Sequence, residues 1–152
     1  MSRRPTQRLR KRWIMDSMEI LGSRVLLRPT QLHRSHQFYR DTLGLAIYRE
    51  FGGDDTRGIV FFLGNGLLEV SGRTRHPPGD AIALWLQVRD IRAEHRRLLD
   101  TGVRVLREPR REVWGLKEMW IADPDGVRIV LVEIPEEHPL RGDRRRLAVA
   151  DQ

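Results

Sequence analysis

The sequence predicts an α+β fold, two tandem βαβββ modules forming a curved mixed sheet with helices outside. Three observations carry that expectation. Residues 119–133 hold two β-rich runs around Asp123-Pro124-Asp125-Gly126, where proline and glycine preset the dihedrals of a tight reversal. Asn65-Gly66 offers a second such turn between apolar runs. The turn glycines Gly66 and Gly126 lie 60 residues apart and the helix-ending Gly44 and Gly102 lie 58 apart, the spacing of a duplicated unit.

The elements follow in order. Ile20 to Leu27 reads as a strand, broken by Arg28-Pro29-Thr30. A helix from about Leu32 to Leu43 puts Phe38, Tyr39 and Leu43 on one face and stops at Gly44. Leu45 to Phe51 is the next strand, and Ile59–Leu63 with Leu67–Ser71 forms a hairpin. The second half repeats this pattern. Ala81 to Val88 is a strand, Asp90 an N-cap, Ile91 to Asp100 a helix ended by Gly102, Val103 to Arg107 a strand, and the hairpin at Asp123–Gly126 closes the unit. One sheet of this size cannot bury both faces alone, so the halves should share a cleft. Module one spans about 19–72 and module two about 81–134, within a single domain of 18–135.

Net charge is +7 over 152 residues, but it is unevenly placed. Residues 1–17 carry Arg3, Arg4, Arg8, Arg10, Lys11 and Arg12 against Asp16 and read as a basic disordered tail. Met18 is an alternative start. Residues 136–152 form a polar tail whose charges cancel. The domain between is close to neutral, and no aromatic interleaving or groove-reading helix accompanies the arginines, which argues against nucleic acid. No apolar run is long enough to span a membrane, and no cysteine offers a disulfide or thiolate, a usage compatible with the cytoplasm.

Ser35-His36-Gln37-Phe38-Tyr39 with Leu43-Gly44-Leu45, Asp90, Trp114-Gly115 and Asp123-Pro124-Asp125-Gly126 together resemble the vicinal oxygen chelate superfamily. Its members include glyoxalase I, extradiol dioxygenases, fosfomycin-resistance enzymes and bleomycin-resistance proteins. The resemblance covers roughly residues 19–135. It implies paired βαβββ modules around a cupped sheet, usually in a homodimer. It also implies a divalent metal held at matching strand positions, which here are Arg24 and Glu69 in module one, Ala83 and Val130 in module two. Only Glu69 could bind a metal. Alanine and valine have no donor atoms and an arginine cation repels a divalent ion. No metal ligand set and no cofactor is therefore expected, with a divalent ion as the alternative.

Strand alternation turns Arg24 and Glu69 into the cup, where charged side chains are costly unless paired. They could form an internal ion pair, or Arg24 could anchor a ligand carboxylate or phosphate that Glu69 orients. Glu69 is also the candidate catalytic base, with little leverage if no metal acidifies the substrate. Trp85 and Trp120 should face the cup, Trp120 opposite Val130, with Trp114 in the loop before that hairpin. Phe62 should lie opposite Glu69 if Asn65-Gly66 is a two-residue turn. Such amphipathic aromatics stack on planar ligands or simply pack. His33 and His36 sit at i and i+3 on an exposed helix start, while His76, His95 and His138 are scattered. No nucleophilic triad or glycine-rich phosphate loop is present.

Two functions fit. The first is a metal-free protein that binds an aromatic or anionic small molecule in a Trp-lined cleft, like the antibiotic-sequestering members. The second is a lyase, isomerase or dioxygenase relative that uses Glu69 with an unusual metal or none.

Overall fold

The computed structural model describes residues 18–141; the predicted basic tail and most of the polar tail lie outside them. Module one runs β1 (Arg24–Leu27), α1 (Leu32–Gln37), β2 (Ile47–Phe51), β3 (Gly58–Leu63) and β4 (Gly66–Val70), with α1 continued by a π-helical turn at Phe38–Thr42. Module two runs β5 (Ala83–Gln87), α2 (Ile91–Leu99), β6 (Arg104–Arg111), β7 (Lys117–Ala122) and β8 (Arg128–Glu133). Each module forms its own four-stranded sheet, in the orders β1-β4-β3-β2 and β5-β8-β7-β6. The first and last strand of each module pair in parallel, the rest antiparallel. The duplication read from the glycine spacing is thus real. The two sheets, however, stay separate within one chain and leave β1 and β5 as edges.

Both helices cover one face of both sheets. Phe38, Tyr39, Ile91 and Leu98 from the helices join Ile59, Phe61, Leu68, Met119, Ile121 and Ile129 from the strands in one buried cluster. Alternation explains the choice, because these strand positions are two apart and point the same way. The opposite, open face of the second sheet holds a smaller cluster of Leu116, Val130, Val132 and Ile134, with Trp120 packed against it. Being buried on both sides, β8 reads as the unbroken apolar run Ile129–Val132.

The helices are delimited as the sequence suggests. Asp90 caps α2 by accepting from the amides of Arg92 and Ala93, both at 3.0 Å. Gly44 and Gly102, both at φ +73°, follow α1 and α2 in the left-handed region that suits glycine.

Two turn-borne carboxylates tie the modules together. Asp123 accepts from the amides of Asp125 and Val127, both at 2.8 Å, and from the buried Tyr39 hydroxyl of module one at 2.8 Å. Asp125 accepts from the Thr30 amide at 2.7 Å and from the Thr30 hydroxyl, just before α1. Arg97 of α2 donates to the carbonyls of Thr42 and Leu43 at 2.8 and 3.3 Å.

The β3–β4 turn corrects an expectation. Leu63 pairs with Gly66, so Gly64-Asn65, not Asn65-Gly66, are the central residues. Gly64 has φ +59°, the positive φ that a type II′ turn needs at its first central position. The register moves accordingly: Phe62 lies opposite Leu67, and Val60 faces Glu69. Strand β1 also begins later than predicted, because its partner β4 starts at the turn: the Ser23 carbonyl still accepts from the Leu67 amide at 3.3 Å, and Ile20–Gly22 lie before the paired stretch. Strand β6 runs on to Arg111, past Pro109, which an edge strand tolerates through a shift in register between Arg107 and Arg110.

Candidate functional site

On the open face of the first sheet, Arg24 and Glu69 form an ion pair, Nη1 to Oε2 at 2.9 Å. The other Glu69 oxygen accepts from the Ser71 hydroxyl at 2.6 Å and lies 3.7 Å from Arg28, which itself donates to Ser71 Oγ at 2.5 Å. The Ser71 hydrogen bond, then the Arg24 contact, hold the Glu69 carboxyl below the usual carboxylate range. Glu69 is therefore ionised, a weak base, and bonded at both oxygens.

On the open face of the second sheet, cross-strand pairing sets out the row Trp85, Val130, Trp120, Arg107 from β5 to β6. Trp120 does stand opposite Val130, as alternation predicts. The Arg107 guanidinium lies over the Trp120 ring, 5.8 Å from its centroid. Next to it are two buried carboxylates that sequence reasoning missed. Glu118 accepts from Trp114 Nε1 at 3.0 Å and from Arg107 at 3.3 Å; Glu112 pairs with Arg107 and, at 3.1 Å, with Arg110. The signal for Glu118 was available, since it lies two residues from Trp120 on β7. Arg107 and Glu112 were hidden by the irregular register around Pro109.

Phe62 and Trp85 come together. They line a groove of about 670 Å³ between the β3–β4 turn and the end of β5, with Asn65, Gln87, Arg89 and Arg141. Both aromatics are half exposed, at 49% and 50%. Tyr48 meets Phe62 edge to face at 5.4 Å. Arg24 and Glu69 do not line this groove, and neither do Trp114 and Trp120, which Glu118 and Arg107 hold on the second sheet.

The histidines do not converge on an ion. His33 and His36 line a smaller pocket of about 460 Å³ with Arg40, Asp54, Asp55 and Arg57. Burial lowers the His36 pKa, and its Nε2 lies 2.9 Å from the Val70 carbonyl, so the ring is neutral and donates from Nε2. His138 Nε2 meets the Trp114 carbonyl at 3.0 Å. Among the described residues no three His, Cys, Asp or Glu side chains are placed to hold a metal ion.

The sequence profile of the Glyoxalase/Bleomycin resistance protein/Dioxygenase superfamily matches residues 23–131, well over half of the chain and both modules. The chain belongs to that superfamily. No curated protein matches it. Solved structures similar to it include a member of the same superfamily from Sphaerobacter thermophilus, 22% identical, covering 78% of this chain and 100% of that one, with a TM-score of 0.63. TnmS3, an antibiotic binding protein from Streptomyces sp. CB03234, is 24% identical over 78% of this chain and 100% of its own, with a TM-score of 0.66. TioX from Micromonospora sp. ML1 is 18% identical over 74% and 97%, with a TM-score of 0.62. At these identities the likeness is one of fold. The βαβββ repeat of this superfamily member is thereby accounted for, and its chemistry rests on its own side chains.

Proposed function

We propose that this superfamily member is a metal-free small-molecule-binding protein that holds an aromatic or anionic ligand in a Trp-lined cleft. The observation that carries the reading is the Arg24–Glu69 ion pair at two of the positions where metal-using relatives place ligands. The other two positions, Ala83 and Val130, offer no donor atom, and the one available carboxylate is already bonded by Arg24 and Ser71. This donor set does not fit a divalent ion, which needs several converging oxygen or nitrogen ligands.

Aromatic surface lies apart from that ion pair, in the groove. Trp85 and Phe62 are half exposed in a groove of the size that small-molecule sites occupy. The fold likeness to an antibiotic binding protein supports the same reading by analogy. The ionised Glu69, bonded at both oxygens, argues against proton transfer by its carboxylate.

The reading includes a homodimer. Edge strands β1 and β5 present unpaired backbone together with exposed Val25 and Leu26, and Ile82 lies exposed just before β5. A second copy would cover such edges. No helix among the described residues is long and apolar enough to cross a membrane, and the proposal places the protein in the cytoplasm.

Tryptophan fluorescence of the full chain, titrated with a panel of aromatic and anionic compounds that includes antibiotics, tests the reading. Saturable quenching that Trp85→Phe diminishes is the expected result. Silence across every compound class refutes it. Light scattering tests the dimer, which has twice the 17.8 kDa chain mass.

A further inference from the structure

We propose that the groove between the β3–β4 turn and the end of β5 takes a planar aromatic acid, its ring against Phe62 and Trp85 and its oxyanion held by Arg89 and Arg141. The inference rests on the small-molecule reading above and adds the ligand's chemical class and the two arginines that select it.

Geometry brings the arginines to one end. Gln87 pairs with Val132 across the parallel strands β5 and β8, and the Val88 amide donates to the Val132 carbonyl at 2.8 Å. Continuing that register sets Arg89 beside Ile134. Arg141 arrives at the same residue from the C-terminal segment, donating from Nη1 to the Ile134 carbonyl at 2.8 Å. That bond fixes the guanidinium while leaving its other N–H groups to face a ligand.

Among the described residues the charge is uncompensated, and no described acidic residue lines the groove. Among the described residues no carboxylate lies within ion-pair distance of Arg89 or Arg141, although most other arginines near the sheets have one. Asp90, next in sequence to Arg89, is occupied in capping α2. Two cations without an acid therefore favour an anion, and guanidinium groups suit carboxylate and phosphate oxygens in particular.

The remaining walls favour a flat ring. Trp85 and Gln87 are alternate residues of β5 and share its open face, while Phe62 comes from the other module. The Tyr48 ring meets Phe62 at an interplanar angle of 85°, an edge-to-face contact that favours one orientation of the Phe62 ring. Asn65 and Gln87 add amide donors and acceptors to the lining.

The test compares naphthoate with naphthylmethanol, two probes of one ring system that differ in charge. Each is titrated into the full chain and followed by tryptophan fluorescence and calorimetry. The wild type should bind naphthoate about tenfold more tightly than the alcohol, and added salt should erode that preference. An Arg89→Gln/Arg141→Gln variant should lose the preference and keep its affinity for the alcohol. Phe62→Ala should weaken both probes. Equal affinity of the wild type for the two probes, or an undiminished preference in the double variant, overturns the assignment of charge while aromatic binding stands. Failure of both probes to bind overturns the aromatic reading of the groove as well.

Discussion

Tyr39→Phe removes a single oxygen from the junction between the modules, and its cost follows from the geometry. The hydroxyl donates to Asp123 Oδ2 at 2.8 Å, Tyr39 is fully buried, and Asp123 is 4% exposed, so water cannot replace the lost donor. Phenylalanine keeps the edge-to-face contact with Phe38, 5.1 Å between centroids, and the contact with Phe61, so no core packing is lost. What remains is a hydrogen bond to a charged group, about 1.5–3 kcal/mol, or roughly ten- to a hundredfold in the unfolding equilibrium.

The sign of the pH dependence also follows. Burial raises the Asp123 carboxyl above its usual value, against the hydrogen bonds from Tyr39 and two backbone amides that hold it down. Asp123 thus contributes stability that is fully present below its unfolded pKa, about 3.9, and is lost as pH rises through the raised folded value. Removing the hydroxyl raises that value further. The variant's deficit should be largest near neutral pH and shrink as Asp123 becomes protonated. Urea unfolding across a pH series measures both quantities. A neutral-pH difference below about 0.5 kcal/mol, or one that grows on acidification, would refute the argument that this bond fastens the modules.

The two ion-pair groups on the open faces respond to single substitutions. Glu69→Gln should cost about 1 kcal/mol near neutral pH, a modest value because Arg24 is 34% exposed. With its folded pKa depressed, Glu69 contributes stability that is present above the unfolded value, about 4.3, and lost as pH falls through the folded one, so the deficit should fade in acid. Arg107→Met leaves Glu112 and Glu118 buried without their shared cation and should cost about 2–3 kcal/mol in urea unfolding, somewhat below a fully buried pair because Arg107 is 30% exposed. The same variant should change Trp114 emission, since Glu118 holds that indole; an unaltered spectrum would mean the network does not position it.

Much of the fold was legible because it rests on local chemistry. Proline and glycine in Asp123–Gly126 specify the reversal wherever it sits, and Asp90 followed by an apolar helix face specifies a helix start. The glycines after the helices repeat because each helix must end before the next strand. Tertiary consequences were not legible. Nothing local says that Asp123 and Asp125 reach Tyr39 and Thr30, 84 and 95 residues away. The Phe62 register was misread because Gly64-Asn65 and Asn65-Gly66 both make acceptable hairpin turns, and only strand pairing chooses. Alternation put Trp85 and Trp120 on one face of the second sheet, and strand pairing sets both beside Val130, whereas the length of β6 was hidden by Pro109, which ends most strands but is tolerated at this edge. Arg89 and Arg141 acquire meaning only when a strand end and the C-terminal segment meet at Ile134.

On the proposed reading, this superfamily member binds its ligand without a metal at the family's usual positions. Elemental analysis of the full chain, purified without chelators and supplied with zinc, manganese, iron and nickel during growth, tests it directly. Well under one equivalent of any divalent metal per chain, unaltered by Glu69→Gln, is the expected result. About one tightly held divalent ion per chain, lost when Glu69 becomes glutamine, would contradict it.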